Sequence, residues 1–283
     1  MHSTRTPAKP APVNANVRCT EMTHTDFTSE ANDQYQRLLE YADHRSREIS
    51  AMLTPYKEVT DRYGSLLCRI SLHLAEREPT SIQDAVLRDL MADVFDFLYE
   101  SRHFILKGQT LLAFPLARRA YESLSLMHWC VCDSKAAEAW HGGKRFNNGE
   151  VRKALSAQPM GEPEEKLRAL YNFFCRTTHP NREMIPFRGL GEGNRFVFGS
   201  IGMPNLIELV EYCTKHLEMW FWFCPVTVWQ FKEFIFPNDP TFHADHNAVR
   251  DEAQSVAKWL VGQYNHLLDE YQSDSTIITP RYT

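Results

Sequence analysis

The sequence predicts an all-α protein, an up-and-down bundle of helices with a loop-rich insertion at about residues 180–204. Three observations predict it. Apolar residues recur at helical spacing through nearly every segment between turn signals. No block of alternating β-branched residues supports a sheet. Glycine is scarce, 12 in 283 residues, and Gly189, Gly191, Gly193, Gly199 and Gly202 fall together in the insertion, which leaves the other segments free to be helical. No internal repeat of solenoid length is present.

The first helical pattern opens at Thr28, Ser29 and Glu30, residues suited to capping. Its stripe is Tyr35, Leu38, Leu39, Ala42, Ile49, Met52 and Leu53, up to Pro55. A second helix runs from about Pro55 to Arg77 on Val59, Tyr63, Leu66, Leu67, Ile70 and Leu74. Glu78-Pro79-Thr80-Ser81 stops it and caps the next. The third, about Ile82 to Lys107, carries Val86, Leu90, Val94, Phe97, Leu98, Phe104 and Ile105, with Gly108 as its stop. The fourth, about Gln109 to Cys132, has Pro115 at a first turn or kink.

Asp133-Ser134 opens a short helix to Trp140, ended by Gly142-Gly143, and Asn147 to Glu150 opens another to Ala157. A helix from about Glu164 to Thr178 ends at His179-Pro180, because the residue before proline is pushed out of the α region. The insertion follows, with a short strand expected at Arg195 to Phe198. A long apolar helix starts at Asn205, with a break expected at Pro225 and a continuation to Phe236. After Pro237-Asn238-Asp239-Pro240 the last helix spans about Asp245 to Tyr271. The domain reading is a disordered tail over 1–28, one helical domain over 29–272 and a frayed tail over 273–283.

Composition bounds the function. With 43% hydrophobic and 24% charged residues the chain is too apolar to be disordered. A net charge of −5 argues against a protein that coats DNA through a general basic excess, though not against a local basic pocket. The N-terminus lacks the apolar run of a secretory signal, and Met219 to Trp229 is too short to span a bilayer. The seven cysteines sit mostly within apolar helical patterns, as packed thiols do in a reducing compartment. The expectation is a cytoplasmic protein without membrane attachment, cofactor or metal.

P-loop, HExxH and GxSxG motifs are absent. Gly189-Leu-Gly191-Glu-Gly193 matches a phosphate loop only in composition. His243, Asp245 and His246 have the chemistry of zinc ligands but no third partner at a metal spacing, and they equally fit a solvated helix N-terminus. The end of the seventh helix is richer. Arg176, His179, Asn181 and Arg182 gather where it stops. Imidazole titrates near neutrality, and guanidinium forks fit phosphate oxygens, so the cluster suits acid/base work beside a phosphate. The alternative is that His179 caps its helix and Arg176 pairs with a carboxylate across the bundle. In the fourth helix Arg118, Arg119 and Glu122 interrupt an apolar stretch. Either Arg119 and Glu122 share one polar pocket with the Arg176–His179 helix end, or they form a solvated face with a surface salt bridge.

Arg118 to Glu122 in a mid-bundle helix, the short helix Ala136 to Trp140, and Tyr171 to His179-Pro180 together resemble a group of bacterial all-helical proteins related to the HEPN-like superfamily, over about residues 85–182. That resemblance implies a helical bundle, commonly dimeric, and a metal-independent ribonuclease or nucleotide-binding protein of a bacterial defence or toxin system. Carried over, it makes Arg176 and His179 the family's Arg and His, and with the residue reading above the expected catalytic set is His179, Arg176 and Glu122 and the phosphate-binding set Arg119, Arg182 and Asn181. Two residues separate Arg176 from His179, fewer than in the family's usual pattern. The expected partners are a second copy of the chain and RNA or a nucleotide. The competing expectation is a non-catalytic interaction module that recruits a partner, or dimerises, through Trp220, Phe221, Trp222, Phe223, Trp229 and Phe231.

Overall fold

Long helices with one apolar stripe must bury that stripe against each other, and the observed architecture follows from it. A computed structural model describes residues 24–158, 161–176 and 206–273. These hold nine helices and, among the described residues, no strand: α1 (His24–Met52), α2 (Thr54–Ala75), α3 (Ile82–Leu106), α4 (Thr110–Cys132), α5 (Ser134–His141), α6 (Asn148–Ser156), α7 (Glu164–Cys175), α8 (Leu206–Asn238) and α9 (Phe242–Ser273). The chain divides into two units, Met1–Glu40 and Tyr41–Thr283, and the architecture below is that of the second.

The helices end where local chemistry ends them. Ser81 accepts a hydrogen bond from the Asp84 amide at the start of α3, Asp133 from that of Lys135 at α5, and Asn147 from that of Glu150 at α6. Gly108 closes α3 at φ 72°, and the Gln109 amide turns back to the Phe104 carbonyl at 2.8 Å. Only Leu53 separates α1 from α2, with Pro55 in the first turn of α2.

Three boundaries differ from the sequence reading. Helix α1 starts at His24, ahead of the Thr28 cap. Helix α8 does not break at Pro225, whereas α4 carries Pro115 inside it as the sequence reading has it. Proline removes one backbone hydrogen bond and crowds the preceding turn, at about 3 kcal/mol in an isolated helix. Helix α8 packs against α2, α3, α4 and α9, and the burial of both its sides holds it continuous. The last helix begins at Phe242 rather than Asp245, because the Phe242 ring is fully buried and anchors the first turn. The expected insertion at 180–204 and its strand lie outside the described residues.

Helix α8 is the hub. Helix α9 lies along it, α2 packs on both, and the α3–α4 hairpin closes its other side. Helices α5, α6 and α7 rest on α4. The stripe read for α2 is buried in full. Trp220 stacks on Tyr63 at 6.4 Å and meets the Phe95 edge at 6.2 Å. Phe114, Phe174 and Tyr212 join α4, α7 and α8 through edge-on contacts. Arg69 of α2 clasps the α8–α9 turn through Asp239 and through Asp245 at 2.6 Å. Among the described residues no helix is long and apolar enough to cross a membrane.

Candidate functional site

The charged residues of α4 sort onto two faces. Arg118 and Glu122, four apart, share the face toward α6 and α7. Arg118 Nε donates to Glu122 at 3.0 Å, and its Nη2 donates to Tyr171 Oη at 3.0 Å. Asn148 of α6 donates to the same two acceptors, at 2.8 and 3.3 Å. Arg119 and Ser123 point toward α3 and both donate to Asp93, Arg119 at 3.2 Å.

Between these faces lies a cleft of about 460 Å³. Asp89 and Asp93 of α3 line it, as do Arg119, Glu122 and Ser123 of α4. Trp140 of α5 and the connection carrying Lys144, Arg145 and Phe146 complete it, with Asn148 and Val151 of α6. Three carboxylates and three cations therefore share one concavity with two aromatic rings. Lys144 pairs with Glu150 at 3.2 Å and sits over the Phe146 ring at 4.5 Å. Arg119 is half exposed and its ion pair is solvated, so it can exchange Asp93 for another anion at little cost. Among the described residues no histidine lines the cleft. The nearest imidazole in α4, His128, accepts from Trp222 Nε1 at 2.9 Å, and burial pushes its pKa down.

The structure brings Arg119 and Glu122 to one cavity. Arg176 does not line it. It pairs across the bundle with Glu211 of α8 at 3.1 Å and lies over the Phe173 ring. Its other neighbour Glu208 has its carboxyl pushed up by burial, against the pull of the Arg176 charge. His179, Asn181 and Arg182, and the glycines at 189–193, lie outside the described residues. Asp89, Asp93, Lys144 and Arg145 were not singled out by sequence. A signal exists for the first two: like charges four apart on one helix face call for a cation from a neighbour, and Arg119 supplies it to Asp93.

His243, Asp245 and His246 have separate surroundings. Asp245 is committed to Arg69, His246 is buried with its ring parallel to Phe242, and His243 is exposed beside Phe236. Among the described residues no group of three potential ligands converges. Of the aromatic run, Trp220, Phe223 and Phe231 belong to the core, Phe221 and Trp222 are half-buried, and Trp229 is exposed. The run thus forms no contiguous exposed patch, which an interaction surface requires. Cys130, Cys213 and Cys224 are buried, and burial pushes their thiols up. Comparison with family models, curated proteins and solved structures finds no match.

Proposed function

We propose that the cleft between α3, α4 and the α5–α6 connection binds a nucleotide. The observation that carries this reading is the convergence of Arg119 with Lys144 and Arg145, cations from separate elements, on a cavity that also holds Trp140 and Phe146. Guanidinium and ammonium groups suit phosphate oxygens. Flat aromatic faces suit a base, and Asp89 and Asp93 suit exocyclic amino groups or ribose hydroxyls. The volume lies in the range of small-molecule sites.

Titration of the full chain with each of the four nucleoside 5′-monophosphates, followed by calorimetry, tests it. At least one binds, and Arg119→Ala weakens it about tenfold while melting within a few degrees of wild type, since that side chain is half exposed. Absence of binding at millimolar ligand, or equal affinity in Arg119→Ala, removes the proposal.

The ribonuclease form of the reading is supported by the HEPN-like resemblance and the Arg176–His179 sequence. In it His179 moves the proton of a ribose 2′-hydroxyl, Arg176 and Arg182 offset phosphate charge, and a homodimer brings two sites together. Glu122 would act through Arg118, which it holds, rather than on the phosphate. Intact RNA after incubation, or equal cleavage by His179→Ala, removes this form and leaves the binding site standing.

A further inference from the structure

The groups lining the cleft divide into those already engaged and those left over. Asp93 accepts from Arg119 at 3.2 Å and from Ser123. Glu122 accepts from Arg118 at 3.0 Å and from Asn148 at 2.8 Å. Lys144 pairs with Glu150, and the Phe146 ring is covered by Lys144 at 4.5 Å and met by the Trp129 ring at 4.8 Å. A carboxylate, a guanidinium and an aromatic ring are left. Asp89, one helical turn before Asp93 on α3, is exposed in the cleft and has no hydrogen bond or ion pair among the described residues. Arg145 is exposed and unpaired among them as well. The Trp140 ring is half-buried in the cleft wall and has no aromatic or cationic partner among them.

These three groups fit a ligand with a flat π face, hydrogen-bond donors and an anionic end. Resting on the nucleotide reading of this cleft, we propose that it selects guanine nucleotides and that Asp89 is the residue that selects. An ionised carboxylate only accepts, through two oxygens side by side. Guanine carries N1–H and its 2-amino group next to each other on one edge, so both oxygens are met at once. Adenine and cytosine set their amino group beside a ring-nitrogen lone pair, and uracil sets its N3–H between two carbonyls. Each of these turns an acceptor toward the carboxylate. The base stacks on Trp140. Arg145 takes the phosphate, joined by Arg119 and Lys144, whose ion pairs are exposed. Repulsion between Asp89 and the phosphate keeps the two ends of the ligand in one orientation.

The test is calorimetric titration of the full chain with the 5′-monophosphates of guanosine, inosine, adenosine and uridine. The guanosine nucleotide binds about tenfold more tightly than those of adenosine and uridine. The inosine nucleotide, which lacks only the 2-amino group, falls between guanosine and adenosine. Asp89→Asn keeps one acceptor but sets a donor against the guanine edge. It weakens the guanosine nucleotide about tenfold and leaves the adenosine nucleotide unchanged. Asp89 is exposed and unpaired among the described residues, so this variant melts within a few degrees of wild type. Arg145→Gln weakens the guanosine and adenosine nucleotides alike, as loss of a phosphate contact does. If the adenosine, uridine or inosine nucleotide binds as tightly as that of guanosine, or if Asp89→Asn keeps the guanine preference, the selectivity is overturned and the nucleotide site stands. Absence of binding by all four overturns both.

Discussion

His216 makes the folded protein sensitive to acid in a way that can be isolated. Its ring has no exposed surface. Nδ1 lies 2.7 Å from Tyr56 Oη, and Nε2 lies 2.7 Å from Ser101 Oγ, whose own hydroxyl donates to the Leu98 carbonyl. The pattern is consistent with one tautomer: Nε2–H donates to Ser101, and Nδ1 accepts from Tyr56. A protonated ring would have to reverse the Tyr56 bond, donating where it now accepts, and would bury a charge. Burial accordingly holds the imidazole pKa down at about 3, and the nearby Arg102 charge pushes the same way.

In the unfolded chain the same ring takes a proton near pH 6.5. Between the two values the unfolded state binds a proton that the fold refuses, so this group's contribution is complete above pH 6.5 and declines as pH falls. The loss is about 2 kcal/mol at pH 5 and approaches about 5 kcal/mol near pH 3. Urea unfolding of wild type and His216→Gln at pH 7.5 and pH 5 measures it. Wild type loses about 2 kcal/mol more over that interval than the glutamine variant, whatever the variant costs at pH 7.5. Other buried groups titrate in both proteins and cancel. Should the variant be too unstable, the ring nitrogen shifts of His216 in wild type still report a neutral imidazole at pH 5. Equal acid sensitivity of the two proteins, or a ring that protonates near pH 6, would refute the reasoning.

Two further perturbations test polar groups of α3. Asp84 is buried, which raises its pKa, yet the Thr80 amide, Arg88 and Arg77 hold the carboxyl down at about 2. Its contribution is present above about pH 4 and lost as pH falls through 2, so Asp84→Asn costs about 2 kcal/mol at pH 7 and much less at pH 2, read from urea midpoints. Arg102 is buried and donates to Thr60 Oγ1 at 2.7 Å, to the Lys57 carbonyl at 3.1 Å and to Asp61. Arg102→Met costs about 2 kcal/mol at an unchanged denaturant slope, whereas Asp61→Asn, at a half-exposed carboxylate, costs under about 1 kcal/mol.

How far the fold was legible depended on how local its causes were. The caps at Ser81, Asp133 and Asn147, the glycine stop at 108 and the stripe of α2 lie within a few residues of what they act on. The continuity of α8 past Pro225 depends instead on neighbours distant in sequence, which no local rule weighs against a proline. The Tyr56–Ser101–His216 network is illegible for the same reason, since its members are more than a hundred residues from His216. Arg119 and Glu122 stood out because charges in an apolar helix need partners. Lys144 and Arg145 sit in a polar stretch where a lysine or arginine is unremarkable until α3, α4, α5 and α6 are assembled.

The two polar centres of the bundle place opposite demands on it. Around His216 both ring nitrogens have partners, and such a network selects which face of α8 meets α2 and α3. It stabilises one register and leaves nothing for a ligand. On the far side of α4 the balance differs. Arg118, Glu122, Asn148 and Tyr171 saturate one another, while the Arg119–Asp93 pair is partly exposed to solvent. Helix α4 is braced by α3 and α8, so it offers that side a fixed wall; α6 and α7 pack on α4 and on each other, and α5 packs on α3 and α4. A ligand that met Arg119 and Lys144 would join the α5–α6 connection to α4 and stabilise the folded state by its binding free energy. The proposed cleft thus lies where the charges are least spent, rather than in the core that the hydrophobic pattern specifies.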